Sequence, residues 1–130
     1  MNNQYLLDTH TFLWMVADPD ALSPGVSKIV SERSNTLFLS AASGWEIALL
    51  RQLNRLELPD DPRRFIPEAM QNFSVQPLSI GFQTGISSAS LPLIHRDPFD
   101  RIIIAEAIKE KLIVLTKDRV FREYGVRTMW

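Results

Sequence analysis

The chain contains no cysteine. That excludes disulfide frameworks, zinc–thiolate sites and cysteine nucleophiles, and it suits a reducing compartment. Histidine is almost as scarce. His10 and His95 are the only two, they lie far apart in sequence, and each reads as structural, so general-base work by imidazole is not expected. Neither sign of charge dominates: 14 Lys+Arg stand against 15 Asp+Glu, for a formal net charge of -1. Such a balance argues against a surface given over wholly to nucleic acid, but leaves room for a local basic rim. No apolar run approaches the roughly 18 residues needed to span a bilayer, and Met1 to His10 lacks both a basic n-region and a long apolar run. Neither a membrane span nor a signal peptide is expected. Internal repeats, low-complexity tracts and linkers are also missing.

What is present has a globular balance. The chain has 130 residues, 45% of them apolar and 22% charged, enough to bury a core as a single domain over residues 1–130. The two proline-containing passages, Pro59 to Pro67 and Pro92 to Pro98, read as connections within that domain.

The organising stretch runs from His95 to Asp118. Asp97-Pro98 is a helix start, with Asp97 as N-cap and Pro98 at the first helical position. Ile103, Ile104, Ala107 and Ile108 follow Asp100 at +3, +4, +7 and +8, the spacing of a buried face. Leu112 to Leu115 then reads as a strand buried on both sides, ending at Thr116-Lys117-Asp118. A carboxylate thus opens the helix and another closes the strand.

The rest of the chain repeats the alternation. Gln4 to Leu7 reads as a strand ending at Asp8, and Thr9 to Ala17 as a helix. Ser23-Pro24 opens a helix to about Ser34, with Val26, Ile29 and Val30 inward. Thr36 to Ser40 is a second buried strand, followed by a helix over Ala41 to Leu53. Its apolar spacing of Ala42, Trp45, Leu49 and Leu53 predicts the inward face, with Glu46 at its border. Phe12, Trp14 and Trp45 read as core. Arg63 to Phe73 reads as helical, Val75 to Leu78 as an edge strand because of Pro77, and Ser79 to Ser90 as helical despite two glycines. A short helix over Arg119 to Tyr124 and a strand over Val126 to Met129 close the chain.

Alternating short apolar strands and helices predict an α/β fold: a mostly parallel sheet of about five strands with helices on both faces. Ligands of such sheets collect at the carboxyl ends of the strands. Asp8, Glu46, Asp100 and Asp118 all map to that edge. Acids at helix starts commonly act as caps, and Asp8, Asp100 and Asp118 each have that simpler reading. Taken together they suggest more. Four carboxylates brought close repel one another, and the arrangement calls for a cation. An all-oxygen set suits Mg²⁺ or Mn²⁺, and one or two such ions activate water against a phosphodiester. Arg96, Arg101, Lys117 and Arg119 flank the acids and are candidates to hold a polyanion.

At these residues the chain resembles PIN domains, and more closely the VapC-type toxins of bacterial toxin–antitoxin pairs. The resemblance rests on Leu6-Leu7-Asp8-Thr9-His10 with Trp14, and on Ser40-Ala41-Ala42-Ser43-Gly44-Trp45-Glu46-Ile47. It continues through His95-Arg96-Asp97-Pro98-Phe99-Asp100-Arg101 and Leu115-Thr116-Lys117-Asp118, with Tyr124-Gly125-Val126 and Trp130 at the end. It implies a cytoplasmic metal-dependent endoribonuclease. Asp8, Glu46, Asp100 and Asp118 take the Mg²⁺- or Mn²⁺-binding positions, and Thr9 and Thr116 the supporting hydroxyl positions. It further implies a homodimer and a small cognate antitoxin that blocks the site. One departure is visible: Leu50 stands where related sequences often carry lysine, with Arg51 next to it. Two other readings compete. One is a PIN-like binding module that keeps the acids without cleaving. The other is a phosphoacceptor domain with Asp8 as nucleophile, which the lack of a second aspartate two residues on disfavours.

Overall fold

A computed structural model describes residues 3–130; Met1 and Asn2, the start of the segment read as carrying no leader, lie outside the described residues. Five strands form one sheet: β1 (Gln4–Leu7), β2 (Thr36–Ser40), β3 (Val75–Leu78), β4 (Ile113–Leu115) and β5 (Thr128–Met129), in the order β3-β2-β1-β4-β5. Every pairing is parallel. The crossovers contain six α-helices: α1 (Thr9–Ala17), α2 (Pro24–Ser31), α3 (Ala41–Gln52), α4 (Pro62–Asn72), α5 (Phe82–Ala89) and α6 (Pro98–Glu110). Short 3-10 turns occupy Pro19–Ala21 and Arg119–Tyr124.

Central β1 and β4 read as apolar runs because they bury both faces, whereas edge strands β3 and β5 are partly exposed. Tyr5 and Leu7 of β1 join Leu37, Leu39, Ile113 and Leu115 in one core, completed by Phe12, Met15, Val26, Ile47, Ile66 and Ala69 from α1 to α4. Leu6 and Val114 point the other way, onto Ile103, Ile104 and Ala107 of α6 and onto Phe121 and Val126. The period-2 geometry of a strand makes this division. Central β1 is flanked by β2 and β4, so its end, and Asp8 after it, lies in the middle of the carboxyl edge.

The expected helices are all present, with corrections at their ends and faces. α2 stops at Ser31 rather than near Ser34, because the Asn35 side chain donates 3.0 Å to the Ile29 carbonyl and closes the helix. α5 begins at Phe82, with Gly81 as its N-cap residue. The last strand is only Thr128–Met129; Val126 is buried in the second core instead. Pro77 sits in β3, at the sheet edge where a missing N–H is harmless.

The expected face of α3 is the main error. Ala42 is buried as expected, but Trp45, Leu49 and Leu53 are exposed, and Ser43 and Ile47 are buried in their place. Small Ala42 and Ser43 let the helix approach α1 closely, where Thr9 Oγ1 donates 2.9 Å to Ser43 Oγ. That contact turns the helix about one residue from the purely apolar face and brings Glu46 inward. Of the expected core aromatics, Phe12 is fully buried, whereas Trp45 is 58% exposed and packs edge-on against Phe99, ring centroids 4.8 Å apart. In α6, Ile103, Ile104 and Ala107 are buried as expected and Ile108 is exposed.

Candidate active site

Each acid is positioned by a local rule. Asp8 leaves β1 in extended conformation and caps α1, its Oδ1 accepting from Thr11 N–H at 2.8 Å. Its Oδ2 accepts from the Thr116 hydroxyl at 2.5 Å. Asp118 caps the 3-10 turn, its Oδ1 accepting from Val120 N–H at 2.9 Å. Its own N–H donates to Thr116 Oγ1 at 3.0 Å. The hydroxyl of Thr116 therefore serves both acids. Asp97 is the N-cap of α6, accepting from the Phe99 and Asp100 N–H groups.

The capping explanation holds for Asp8, Asp97 and Asp118 but not for Asp100. A capping-box acid would reach back to the N–H of Asp97. That N–H instead donates 3.2 Å to His95 Nδ1. Asp100 faces inward, and its Oδ2 lies 3.0 Å from His95 Nε2. The same Nε2 lies 3.1 Å from Asp118 Oδ2. Ligand-type atoms of His95, Asp100 and Asp118 fall within 4.8 Å of one another.

Electrostatics ties Asp8 and Glu46 to this group. Burial, followed by the negative charges of Asp97, Asp8, Glu46 and Asp118, pushes the Asp100 carboxyl up to about 8. Burial also raises Glu46; the Thr9 hydroxyl opposes that shift, while the charges of Asp97 and Asp8 add to it. Glu46 Oε1 is buried without a hydrogen-bond partner. A buried acceptor with no donor, in a group of oxygen ligands where burial and neighbouring charge raise Asp100 and Glu46, is chemically suited to a hard divalent cation.

Two expectations about neighbouring residues need correction. Arg101 was a candidate for holding a polyanion, but its side chain is buried. Its guanidinium donates to the carbonyls of Ser88, Ala89, Leu91, Pro92 and His95. Arg101 pins the loop before α6 and has no free face for a substrate. Arg96, Lys117 and Arg119 are exposed beside the acids. His95 was read as merely structural, yet it bridges two of the four acids. Its position could have signalled this, because residues just before an N-cap fold back over the first helical turn, which carries Asp100. Tyr124 was missed as well: its hydroxyl accepts from the Ile94 and His95 N–H groups and donates to the Pro92 carbonyl. Thr9, expected near the acids, lies against Ser43 and Glu46.

An all-parallel sheet with helices between its strands and acids at its carboxyl edge places the chain among α/β proteins, with His95, Asp100 and Asp118 close enough there to hold an ion. Comparison with known proteins narrows this class. The PIN domain family model matches residues 5–126, and the chain belongs to that family. The chain is 30% identical over 120 residues to Ribonuclease VapC22 of Mycobacterium tuberculosis, covering 92% of this chain and 90% of that protein. The fold is similar to a chain of VapBC2 from Rickettsia felis bound to a promoter DNA fragment (TM-score 0.71, 13% identity, 97% of each chain). It is also similar to a chain of DNA-bound VapBC from Salmonella typhimurium (TM-score 0.67, 18% identity, 98% of this chain and 97% of that one).

Proposed function

We propose that the chain is a Mg²⁺- or Mn²⁺-dependent endoribonuclease, the toxin of a toxin–antitoxin module. The observation that carries this reading is the close approach of Asp100 and Asp118 at the carboxyl edge, where burial first, and then the charges of Asp97, Asp8, Glu46 and Asp118, raise the Asp100 carboxyl to about 8. Asp8, Glu46, Asp100 and Asp118 would hold the cation, and their mutual repulsion is what it would relieve. When bound, the ion supplies Lewis acidity, lowering the pKa of water and offsetting charge on the leaving oxygen of a phosphodiester.

The remaining work falls to the chain's own groups. Thr116 fixes the rotamer of Asp8 through one hydrogen bond and the backbone at Asp118 through another. Thr9 lies beside Glu46 and disfavours its protonation. Exposed Arg96, Lys117 and Arg119 steer and hold the RNA backbone around an anionic centre. Single-stranded or looped RNA fits an open edge, because its backbone is accessible there. Similarity to a protein named as a ribonuclease supports the choice of RNA.

The fold's likeness to chains from VapBC complexes supports a cognate antitoxin as partner. Exposed Trp45, Leu49 and Leu53 on α3 and Phe82 and Ile86 on α5 offer apolar surface for that partner and for a homodimer. Among the described residues no helix is long and apolar enough to cross a membrane; on this reading the toxin acts in the cytoplasm through a PIN-like domain over residues 1–130.

The test is cleavage of a structured RNA pool by the purified protein with Mn²⁺, Mg²⁺ or EDTA, beside the Asp100→Asn variant. Metal-dependent cutting that disappears in a folded Asp100→Asn protein is expected. Cutting that persists in EDTA or in the variant overturns the assignment.

A further inference from the structure

The group at the centre of the acid cluster is an imidazole, and its chemistry is fixed by the backbone. A peptide N–H can only donate. The N–H of Asp97 points at His95 Nδ1 from 3.2 Å, so Nδ1 must present its lone pair. A neutral imidazole then carries its proton on Nε2. That nitrogen faces Asp100 Oδ2 at 3.0 Å and Asp118 Oδ2 at 3.1 Å. One N–H is shared between two carboxylates from opposite sides of the edge, one on α6 and one after β4.

The rest of the environment holds the ring in place. The Tyr124 hydroxyl accepts from the His95 N–H at 2.6 Å. Arg101 donates to the His95 carbonyl at 3.0 Å. Phe121 meets the ring edge-to-face, centroids 6.0 Å apart. Only 16% of the side chain is exposed. Both faces of its backbone and both ring nitrogens are committed, so the ring cannot flip without breaking these contacts.

An imidazole among carboxylates is ordinarily taken for a metal ligand, and His95, Asp100 and Asp118 have the proximity for one. Ligation requires a lone pair on the nitrogen facing the ion. Here the Asp97 N–H occupies the lone pair of Nδ1, which directs the hydrogen of a neutral ring to the nitrogen that faces the acids. We propose that His95 is a positioning residue and not a ligand. Its Nε2–H clamps one oxygen of Asp100 and one of Asp118, and so turns the remaining Asp100 oxygen and the Asp8–Glu46 side of the edge toward the cation. The inference rests on the proposed metal-dependent reading and specifies that the ion there meets oxygen alone. An oxygen set favours hard ions, whereas a nitrogen ligand would draw the site toward softer ones.

The test combines two spectroscopic readings with a binding comparison. Long-range proton–nitrogen NMR on metal-free protein should show His95 protonated at Nε2; protonation at Nδ1 overturns the proposal. With Mn²⁺ added to the wild type, pulsed electron paramagnetic resonance should show no directly bonded histidine nitrogen. Such a coupling, present in the wild type and lost in His95→Ala, overturns it.

In binding titrations, His95→Ala should weaken Mn²⁺ and Mg²⁺ by the same factor, about 10–100-fold, as the loss of a group that orients a ligand does. His95→Gln, whose amide can place an N–H where Nε2 stood, should recover most of the loss. A selective loss of Mn²⁺ over Mg²⁺ is the signature of a ligand and overturns the inference. A wild type that binds neither ion overturns the metal reading itself, and the positioning role falls with it. That outcome is distinct from binding accompanied by nitrogen coupling, which removes the His95 inference alone.

Discussion

The hydroxyl of Thr116 donates to Asp8 across 108 positions of sequence. The same oxygen accepts the N–H of Asp118, so one small side chain joins the first and the last of the four candidate acids. Thr116→Val keeps the shape and removes the hydroxyl, leaving a buried carboxylate oxygen and a backbone N–H without partners. Stability should fall by about 1–3 kcal/mol in urea titrations, and Mn²⁺ affinity by about 10–100-fold in calorimetry. Thr116→Ser should retain both. A Thr116→Val protein indistinguishable from wild type in both measurements would remove the hydroxyl from the site.

Asp100 tests the link between the cation and folding. In EDTA above about pH 8, where this carboxyl ionises against its neighbours, Asp100→Asn should melt at or above the wild-type temperature. Saturating Mn²⁺ should stabilise the wild type by about 2.7 kcal/mol at one hundred times its dissociation constant, and the variant by much less. Thermal melts with and without metal give all four values. A variant that gains as much as the wild type from Mn²⁺ would place the ion elsewhere.

Arg101 and Arg119 look alike in sequence and should behave oppositely. Arg101→Lys abandons several carbonyls that the guanidinium fork satisfies, and should cost about 3 kcal/mol or more. Arg119→Ala is a surface change, expected within about 0.5 kcal/mol of wild type. It should instead weaken RNA binding and flatten its dependence on salt by roughly one charge. Chemical denaturation and RNA titrations over a range of salt separate the two. Equal stability losses would undo the distinction.

Glu106 is a third acid raised by burial, and it lies apart from the group around Asp100. It is 2% exposed in the middle of α6, and neither carboxylate oxygen has a hydrogen-bond partner. Burial raises its pKa from 4.5 to about 7, against the opposing effect of Ser40. A raised carboxyl pKa means the folded state binds the proton more tightly than the unfolded chain. Its contribution is therefore complete below pH 4.5 and is lost as pH climbs through about 7, an effect of about 3 kcal/mol in all. Glu106→Gln should remove that slope and leave the protein more stable than wild type at pH 8. Denaturation curves of both proteins between pH 5 and 8 check the sign; parallel curves would mean that Glu106 is hydrated or paired.

How much of this could be read in the sequence differs by element. The strands were legible because burial on both faces leaves a bare apolar run, as in Leu112 to Leu115. The positions of Asp8, Asp100 and Asp118 were legible because each falls where a strand ends or a helix begins, whereas Glu46 stands inside α3 and could be placed only by helical spacing. The face of α3 was not legible, because close helix approach is set by Ala42 and Ser43, and small residues carry little hydropathy signal. Trp45, the most apolar-looking residue there, lies outside against Phe99. Arg101 resembled its basic neighbours, and only tertiary structure shows the five carbonyls that it serves. His95 was underestimated for a related reason: its role depends on a backbone N–H, and composition contains no record of backbone direction.

The strand order carries a consequence for synthesis. Among the described residues, β4 is made long after β1 and after β2 and β3, yet it pairs directly with β1. Thr116 and Asp118 arrive only with the segment that follows β4. A nascent chain, or one from a message cut short before that point, holds Asp8, Glu46 and Asp100 without the closing side of the edge. The acids at this edge can thus come together only after β4 has been made, and a product interrupted before it lacks the Thr116 link between Asp8 and Asp118.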